Sequence, residues 1–139
     1  MIIDATDSIL GRIAAVAAKQ ALKGEKVDII NAENAVVTGS KQQVLAKYKQ
    51  MRERGGPYHG PYIPRQPHML LKRTIRGMLP HKQERGQLAL KRIKCHIGVP
   101  EGLVGKEAEK VANASIAKLQ TSRFITLKQL TKELGVKQR

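Results

Sequence analysis

The first thirty residues show a strand–helix–strand pattern that limits the folds open to this chain. Ile2 and Ile3 begin a short apolar strand, and VDIIN, starting at Val27, is a second β-branched run. Between them, apolar residues at three- to four-residue spacing predict a helix with one buried face, formed by Leu10, Ile13, Ala17 and Ala21. We expect Asp7 or Thr6 to cap this helix. Such a unit has parallel strands and a right-handed crossover, so the sequence predicts an α/β fold.

Capping and proline signals predict the later elements. Ser40 to Gln43 forms a capping box for a second helix, whose basic residues lie largely off its apolar stripe. Pro67 suits the first turn of a third helix, which Pro80 interrupts. The remaining predicted elements are a helix at 84–92, a strand at 93–97, short extended pieces at 35–39 and 124–125, and a last helix that begins with the capping box at 126–129.

Positive charge is concentrated in the middle of the chain. The 139 residues carry 26 Lys and Arg against 11 Asp and Glu, a net charge of +15. Residues 41–94 hold 14 of those cations and two acids, a net charge of +12. Such a surface repels itself unless a polyanion neutralises it, and nucleic acid is the usual polyanion. An anionic membrane is less suitable, since one Phe and no Trp supply few apolar anchors.

Length and cysteine content limit the class of protein. A chain of 139 residues suits one domain, which we expect to span 1–139. One cysteine, Cys95, excludes an intramolecular disulfide and a multi-thiolate metal site. No apolar run reaches about 18 residues, so no membrane span is predicted. The segment MIIDATDSIL lacks the basic flank of a signal peptide, so we expect a cytoplasmic protein.

The residues needed for catalysis or nucleotide binding do not converge in this sequence. The turn after the first strand has only Gly11, which we interpret as close packing of helix on sheet rather than part of a phosphate-binding loop. The four histidines form no His-x-x-x-His pair, and a nuclease normally needs clustered carboxylates. We therefore expect no enzyme activity, no metal or other cofactor, and no small-molecule substrate. A nucleic-acid-processing enzyme remains an alternative that metal-dependent turnover of RNA would reveal.

Residues 55–67, GGPYHGPYIPRQP, place aromatic side chains inside the basic segment. Prolines reduce the entropy that a loop loses when it becomes ordered on a partner, and glycines let backbone approach a ligand closely. Tyr58 and Tyr62 offer faces on which unstacked bases can rest, and the cations that follow supply donors to phosphates. A solvated surface loop and a module that docks an acidic protein are the alternatives.

These features predict an RNA-binding face between about residues 41 and 94. Binding would depend on phosphate contacts and RNA shape rather than on reading a linear sequence. The candidate RNA-binding residues are the basic, histidine and tyrosine side chains Lys41, Lys49, Arg52, Arg54, Tyr58, His59, Tyr62, Arg65, Lys72, Arg73, Arg76, His81, Lys82, Arg85, Lys91 and Arg92.

Nearly the whole chain resembles one family, the thirteenth protein of the large ribosomal subunit, in its short archaeal-type form. The motifs that carry the resemblance are Leu-Gly-Arg at 10–12, Asn-Ala-Glu at 31–33, GPYHGPYIPRQP, and the run from IRGMLPHK to GVPEG. The resemblance implies a three-layer α/β/α domain around a four-stranded parallel sheet. It also implies binding to large-subunit ribosomal RNA beside neighbouring proteins of that subunit, in support of subunit assembly and translation.

Overall fold

A computed structural model describes residues 1–136 of the chain. It contains a mixture of helices and short strands, joined by three single-turn 3-10 helices. In chain order the elements are β1 (Ile2–Asp4), α1 (Leu10–Leu22), β2 (Val27–Ile30), β3 (Val36–Thr38), α2 (Lys41–Glu53), α3 (Pro67–Gly77), α4 (Glu84–Arg92), β4 (Ile93–Cys95), β5 (Phe124–Thr126) and α5 (Leu127–Glu133).

The predicted strand–helix–strand unit is confirmed. Strands β1 and β2 are parallel neighbours, and β4 joins the other edge of β2 in the same direction. Ile29 at the centre pairs with Ile3 on one side and Cys95 on the other. The predicted buried face of α1 is also confirmed, because Leu10, Ile13, Ala17 and Ala21 are all buried. An α/β fold is therefore established.

The four-stranded parallel sheet is not confirmed. The parallel sheet has three strands, and β3 pairs instead with β5 as an antiparallel ribbon of two strands. At the free edge of β1 a single parallel bridge joins Ile3 to Glu109. The Glu109 amide donates to the Ile2 carbonyl at 2.9 Å. Residues 103–112 are rich in charged residues and poor in β-branched ones, which disfavours a longer strand there.

A second helical layer is not confirmed either. Helix α1 contacts both α3 and α4, and each of the three helices contacts strand β2 or β4, while Ile3 and Ile29 of the sheet are fully buried. Side chains alternate between the two faces of a strand, so the intervening positions point away from these helices. The aligned residues at those positions are half-buried or exposed, namely Ile2, Asp28 and Lys94. The core therefore lies mainly on one sheet face, and Ile30 is the one buried strand residue on the other face among these three strands.

The start of α1 differs from the prediction. Neither Asp7 nor Thr6 caps the helix: Ile9 is the N-cap residue and makes no side-chain capping bond. Asp7 instead has a positive φ of 52°, and Thr6 hydrogen-bonds to Asp4. The predicted close packing of helix on sheet at Gly11 is also wrong, because a methyl group there would meet no atom within 4 Å.

The other helix starts follow the sequence signals. Ser40 Oγ accepts a hydrogen bond from the Gln43 amide at 3.4 Å, and Thr126 Oγ1 accepts one from the Gln129 amide at 3.2 Å, so the N-cap half of each predicted capping box is confirmed. Pro67 occupies the first turn of α3. Each signal acts within one helical turn, which explains why it can be read locally. None of the helices among residues 1–136 is long and apolar enough to cross a membrane.

Candidate nucleic-acid interface

All sixteen candidate residues are accessible to solvent. They follow the chain from α2 through the loop at 55–66 and α3 to α4. Twelve of them are exposed, and four are half-buried, namely Arg52, Lys72, Arg73 and Arg92. The segment 41–94 therefore does not turn its positive charge into the interior of the protein.

Helix α3 brings three of the candidate cations together. Leu71 and Ile75 are fully buried and hold the helix on the core. Lys72 and Arg76 are four residues apart and so lie on the same side of the helix, with Arg73 beside them. Amphipathic spacing thus concentrates positive charge on the surface that α3 turns away from the core.

A groove of about 430 Å³ lies between the loop, α3 and α4. One wall comes from the loop, another from α3 and a third from a single leucine of α4. The lining residues are Tyr62, Ile63, Pro64, Met69, Lys72, Arg73, Arg76 and Leu90. Five of these eight side chains are apolar or aromatic and three are cationic, so the groove combines an apolar surface with strong positive charge.

Arg73 connects the loop to α3. Its Nη1 donates to the carbonyl oxygen of Tyr62 at 3.1 Å, across eleven positions of the sequence. The candidate phosphate donor therefore also holds Tyr62 in place at the edge of the groove. A guanidinium group has five N–H donors, so this contact leaves Arg73 able to bind an anion as well.

The two glycines at the start of the loop allow the chain to fold back on itself. A side chain at Gly55 would overlap the carbonyl group of Pro61, and one at Gly56 would lie 2.9 Å from the His59 ring. The Gly56 amide also donates to the His59 carbonyl at 2.9 Å. Only glycine can approach so closely, which explains why loop composition is required at this point.

A close approach also fixes the turn between α3 and α4. Gly86 is buried, and a side chain there would overlap the carbonyl group of Pro80. The Gln83 amide donates to the same carbonyl at 2.9 Å. This turn sets the position of α4 against α3 and leaves His81, Lys82 and Arg85 exposed.

Three candidates at the ends of the segment contact other parts of the protein. Arg52 Nη1 donates to the Leu134 carbonyl at 2.7 Å, and Lys41 Nζ lies 3.2 Å from a Glu133 carboxylate oxygen. Arg92 donates to the carbonyl of Ala21 at 3.3 Å. These contacts attach α2 to the end of α5, and α4 to the end of α1. The three side chains therefore have structural roles that their residue types and spacing did not predict.

The sequence pattern did not predict the apolar part of the groove. The helical spacing of Leu71, Ile75 and Met78 predicts one shared face on α3, but Met78 is 44% exposed, whereas Leu70 is buried. Met69 and Leu90 contribute to the groove although neither was a candidate. Their apolar character was visible in the sequence, but their exposure depends on how α3, α4 and the loop meet.

Two other titratable groups of this region face inward. His68 is half-buried, and burial, together with the nearby His96, lowers its pKa below the ordinary value. Burial raises the pKa of the Cys95 thiol to about 12. Both groups are therefore held in their neutral forms at pH 7. Among residues 1–136, no cluster of three or more His, Cys, Asp and Glu side chains is placed to hold a metal ion.

The fold and this surface define an α/β protein with a basic, partly apolar face. A sequence model of the family described as Ribosomal protein L13 matches residues 1–102. The chain is 45% identical over 137 residues to the large ribosomal subunit protein uL13 of Methanosarcina barkeri, covering 98% of each chain. It is 44% identical over 135 residues to that of Archaeoglobus fulgidus, covering 96% of this chain and 86% of the relative. The chain therefore belongs to the ribosomal protein L13 family, whose members are structural and non-enzymatic.

Proposed function

We propose that the protein is a structural constituent of the large ribosomal subunit, where it binds ribosomal RNA and supports subunit assembly and translation. Family membership supports the ribosomal assignment. The observation that carries RNA binding is the accessibility of the cations in 41–94. Of the candidate cations, Lys41 alone has an acidic partner among the described residues. The positive charge is therefore left for an external polyanion.

The described geometry favours binding over chemistry. The helices and sheet position the segment 41–94, and this segment supplies phosphate donors along its length. Contacts with about 6–10 phosphates would make affinity fall on the order of 10³-fold or more from low to physiological salt. The partners that we propose are large-subunit ribosomal RNA and neighbouring proteins of that subunit, within cytoplasmic ribosomes.

The central test reverses the charge of α3. We expect the triple variant Lys72→Glu, Arg73→Glu and Arg76→Glu to bind large-subunit ribosomal RNA far more weakly than the parent, measured by filter binding at fixed salt. The matched control reverses three exposed cations outside the segment, namely Lys19, Lys23 and Lys26. Circular dichroism of both variants checks that the fold is kept. Equal losses of RNA affinity in the two variants would show that binding depends on the net charge of the protein and not on the position of these cations on α3.

A second measurement tests the ribosomal assignment itself. In a cell extract the protein should sediment with the large subunit, and ribonuclease treatment should release it. Sedimentation as a free protein before digestion would contradict the assignment. Metal-dependent degradation of RNA by the purified protein would instead support the enzyme alternative.

A further inference from the structure

We propose that the groove between the loop, α3 and α4 holds one unpaired nucleotide, with its base on the apolar wall and its phosphate on the cations. This inference rests on the proposed binding to ribosomal RNA and names what one part of that RNA places in the protein. The groove is defined by its lining from Tyr62 to Leu90.

The size of the groove suits a small ligand rather than a helical strand. Its volume of about 430 Å³ lies within the range of roughly 300–1,000 Å³ that proteins use for small molecules. Paired RNA presents phosphates and sugars at its surface and keeps its bases stacked inside. A duplex would therefore contact the cations but leave the apolar wall uncovered. An unpaired nucleotide can cover both.

The apolar wall of the groove is open to solvent. Tyr62 is 65% exposed and Met69 is 44% exposed, on adjacent walls of the same groove. Apolar and aromatic side chains beside a few charged groups are the usual lining of a small-molecule site. The flat face of a base can pack on a tyrosine ring and a thioether without requiring a particular base identity.

The charge of the groove selects an anion. Lys72, Arg73 and Arg76 contribute to its lining, which includes no acidic residue. Arg73 also holds the Tyr62 carbonyl at 3.1 Å, so the cation and the aromatic wall are already positioned relative to each other. Preorganisation of this kind reduces the entropy lost on binding. An acidic peptide would satisfy the cations, but it brings no flat ring to the apolar wall.

Adenosine 5′-monophosphate and ribose 5-phosphate are the probes that separate the two parts of the groove. Both titrations use the full chain, labelled with ¹⁵N, and follow the amide signals of residues 62–76 and 90. We expect adenosine 5′-monophosphate to bind at least about 5-fold more tightly than ribose 5-phosphate, since contact with a base adds roughly 1–3 kcal/mol. The difference between the two ligands measures the apolar wall alone.

Two methionines of similar exposure provide a matched pair of variants. Met69 lines the groove and Met78 does not, yet each is 44% exposed. We expect Met69→Gln to weaken adenosine 5′-monophosphate binding several-fold while leaving ribose 5-phosphate binding unchanged. Met78→Gln should affect neither ligand. Because both positions are partly exposed, both variants should fold, which unfolding curves can verify.

Several outcomes would overturn the inference. Equal affinities for the two probes would show a phosphate site only, and unchanged signals with adenosine 5′-monophosphate would show no nucleotide site. A hexaglutamate peptide that shifts the same signals with higher affinity than the nucleotide would assign the groove to a protein partner. Filter binding of the parent to ribosomal RNA is measured in parallel. If the parent binds ribosomal RNA but the groove does not bind the nucleotide, this inference alone is wrong. If the parent does not bind ribosomal RNA, the proposed function is wrong.

Discussion

Replacement of Gly86 by alanine should destabilise the protein, although alanine is the better helix former. Gly86 lies in α4, where alanine would by itself add up to about 1 kcal/mol of helix stability. Its methyl group, however, would overlap the Pro80 carbonyl and lie 2.9 Å from the His81 amide nitrogen. These are backbone atoms that cannot rotate aside, and overpacking of this kind costs about 1–3 kcal/mol, occasionally more. We expect a net loss of up to about 2 kcal/mol in the free energy of unfolding.

Gly11→Ala is the matched control for this experiment. Gly11 is also a helical glycine, but a methyl group there meets nothing within 4 Å. Its free energy of unfolding should therefore stay unchanged or rise by up to about 1 kcal/mol. Urea unfolding followed by circular dichroism measures both variants under the same conditions. If Gly86→Ala were as stable as Gly11→Ala, the turn at Pro80 would not restrain α4, and the reasoning about the position of α4 would fail.

Three further predictions concern charge, the thiol and pH. Lys72→Gln combined with Arg76→Gln should reduce the slope of log affinity against log salt by about 1.4–1.8, at about 0.7–0.9 per phosphate contact, and an unchanged slope would contradict phosphate binding there. Cys95 should react slowly with iodoacetamide at pH 8 and quickly in urea, because burial raises its pKa to about 12, whereas rapid reaction of the folded protein would contradict this. Asn31→Gly keeps the positive φ of 54° but removes the donor to Asp4 at 3.0 Å. Burial alone would raise the pKa of Asp4, but hydrogen bonds from Asn31 and a threonine outweigh it, so the pKa is lowered. The stability from this lowered pKa is present above about pH 4 and is lost as pH falls through the folded-state pKa. Urea unfolding of this variant should therefore show a free energy of unfolding that is about 1.5–3 kcal/mol lower than that of the parent at pH 7. The difference should diminish towards pH 2.

Local signals in the sequence were sufficient for most elements of secondary structure. Ser40, Pro67 and Thr126 were correct helix starts, since each acts on backbone groups within the next turn. The β3–β5 ribbon was not predicted, although both pieces were expected to be extended. Its partners, such as Val37 and Ile125, are far apart in the sequence, and no local pattern specifies which short strands pair.

The same difference between local and distant information applies to the candidate interface. The concentration of cations in 41–94 could be read directly from the sequence. The structural contacts of Arg52 and Arg92 could not, because their carbonyl partners lie 82 and 71 positions away. The groove forms because Met69 and Leu90 line the same space, and the position of α4 there depends on the close approach of Gly86 to Pro80.

The antiparallel ribbon of β3 and β5 has a consequence for biosynthesis. Strand β3 ends shortly before the cationic segment begins, and β5 follows that segment late in the chain. A nascent polypeptide therefore completes residues 41–94 well before the strand that pairs with Val36 has been translated. Until then, Val36, which is fully buried in the finished fold, lacks its pairing with Thr126. Closure of the β3–β5 ribbon therefore comes after synthesis of the cationic segment, because it requires a strand that is translated later.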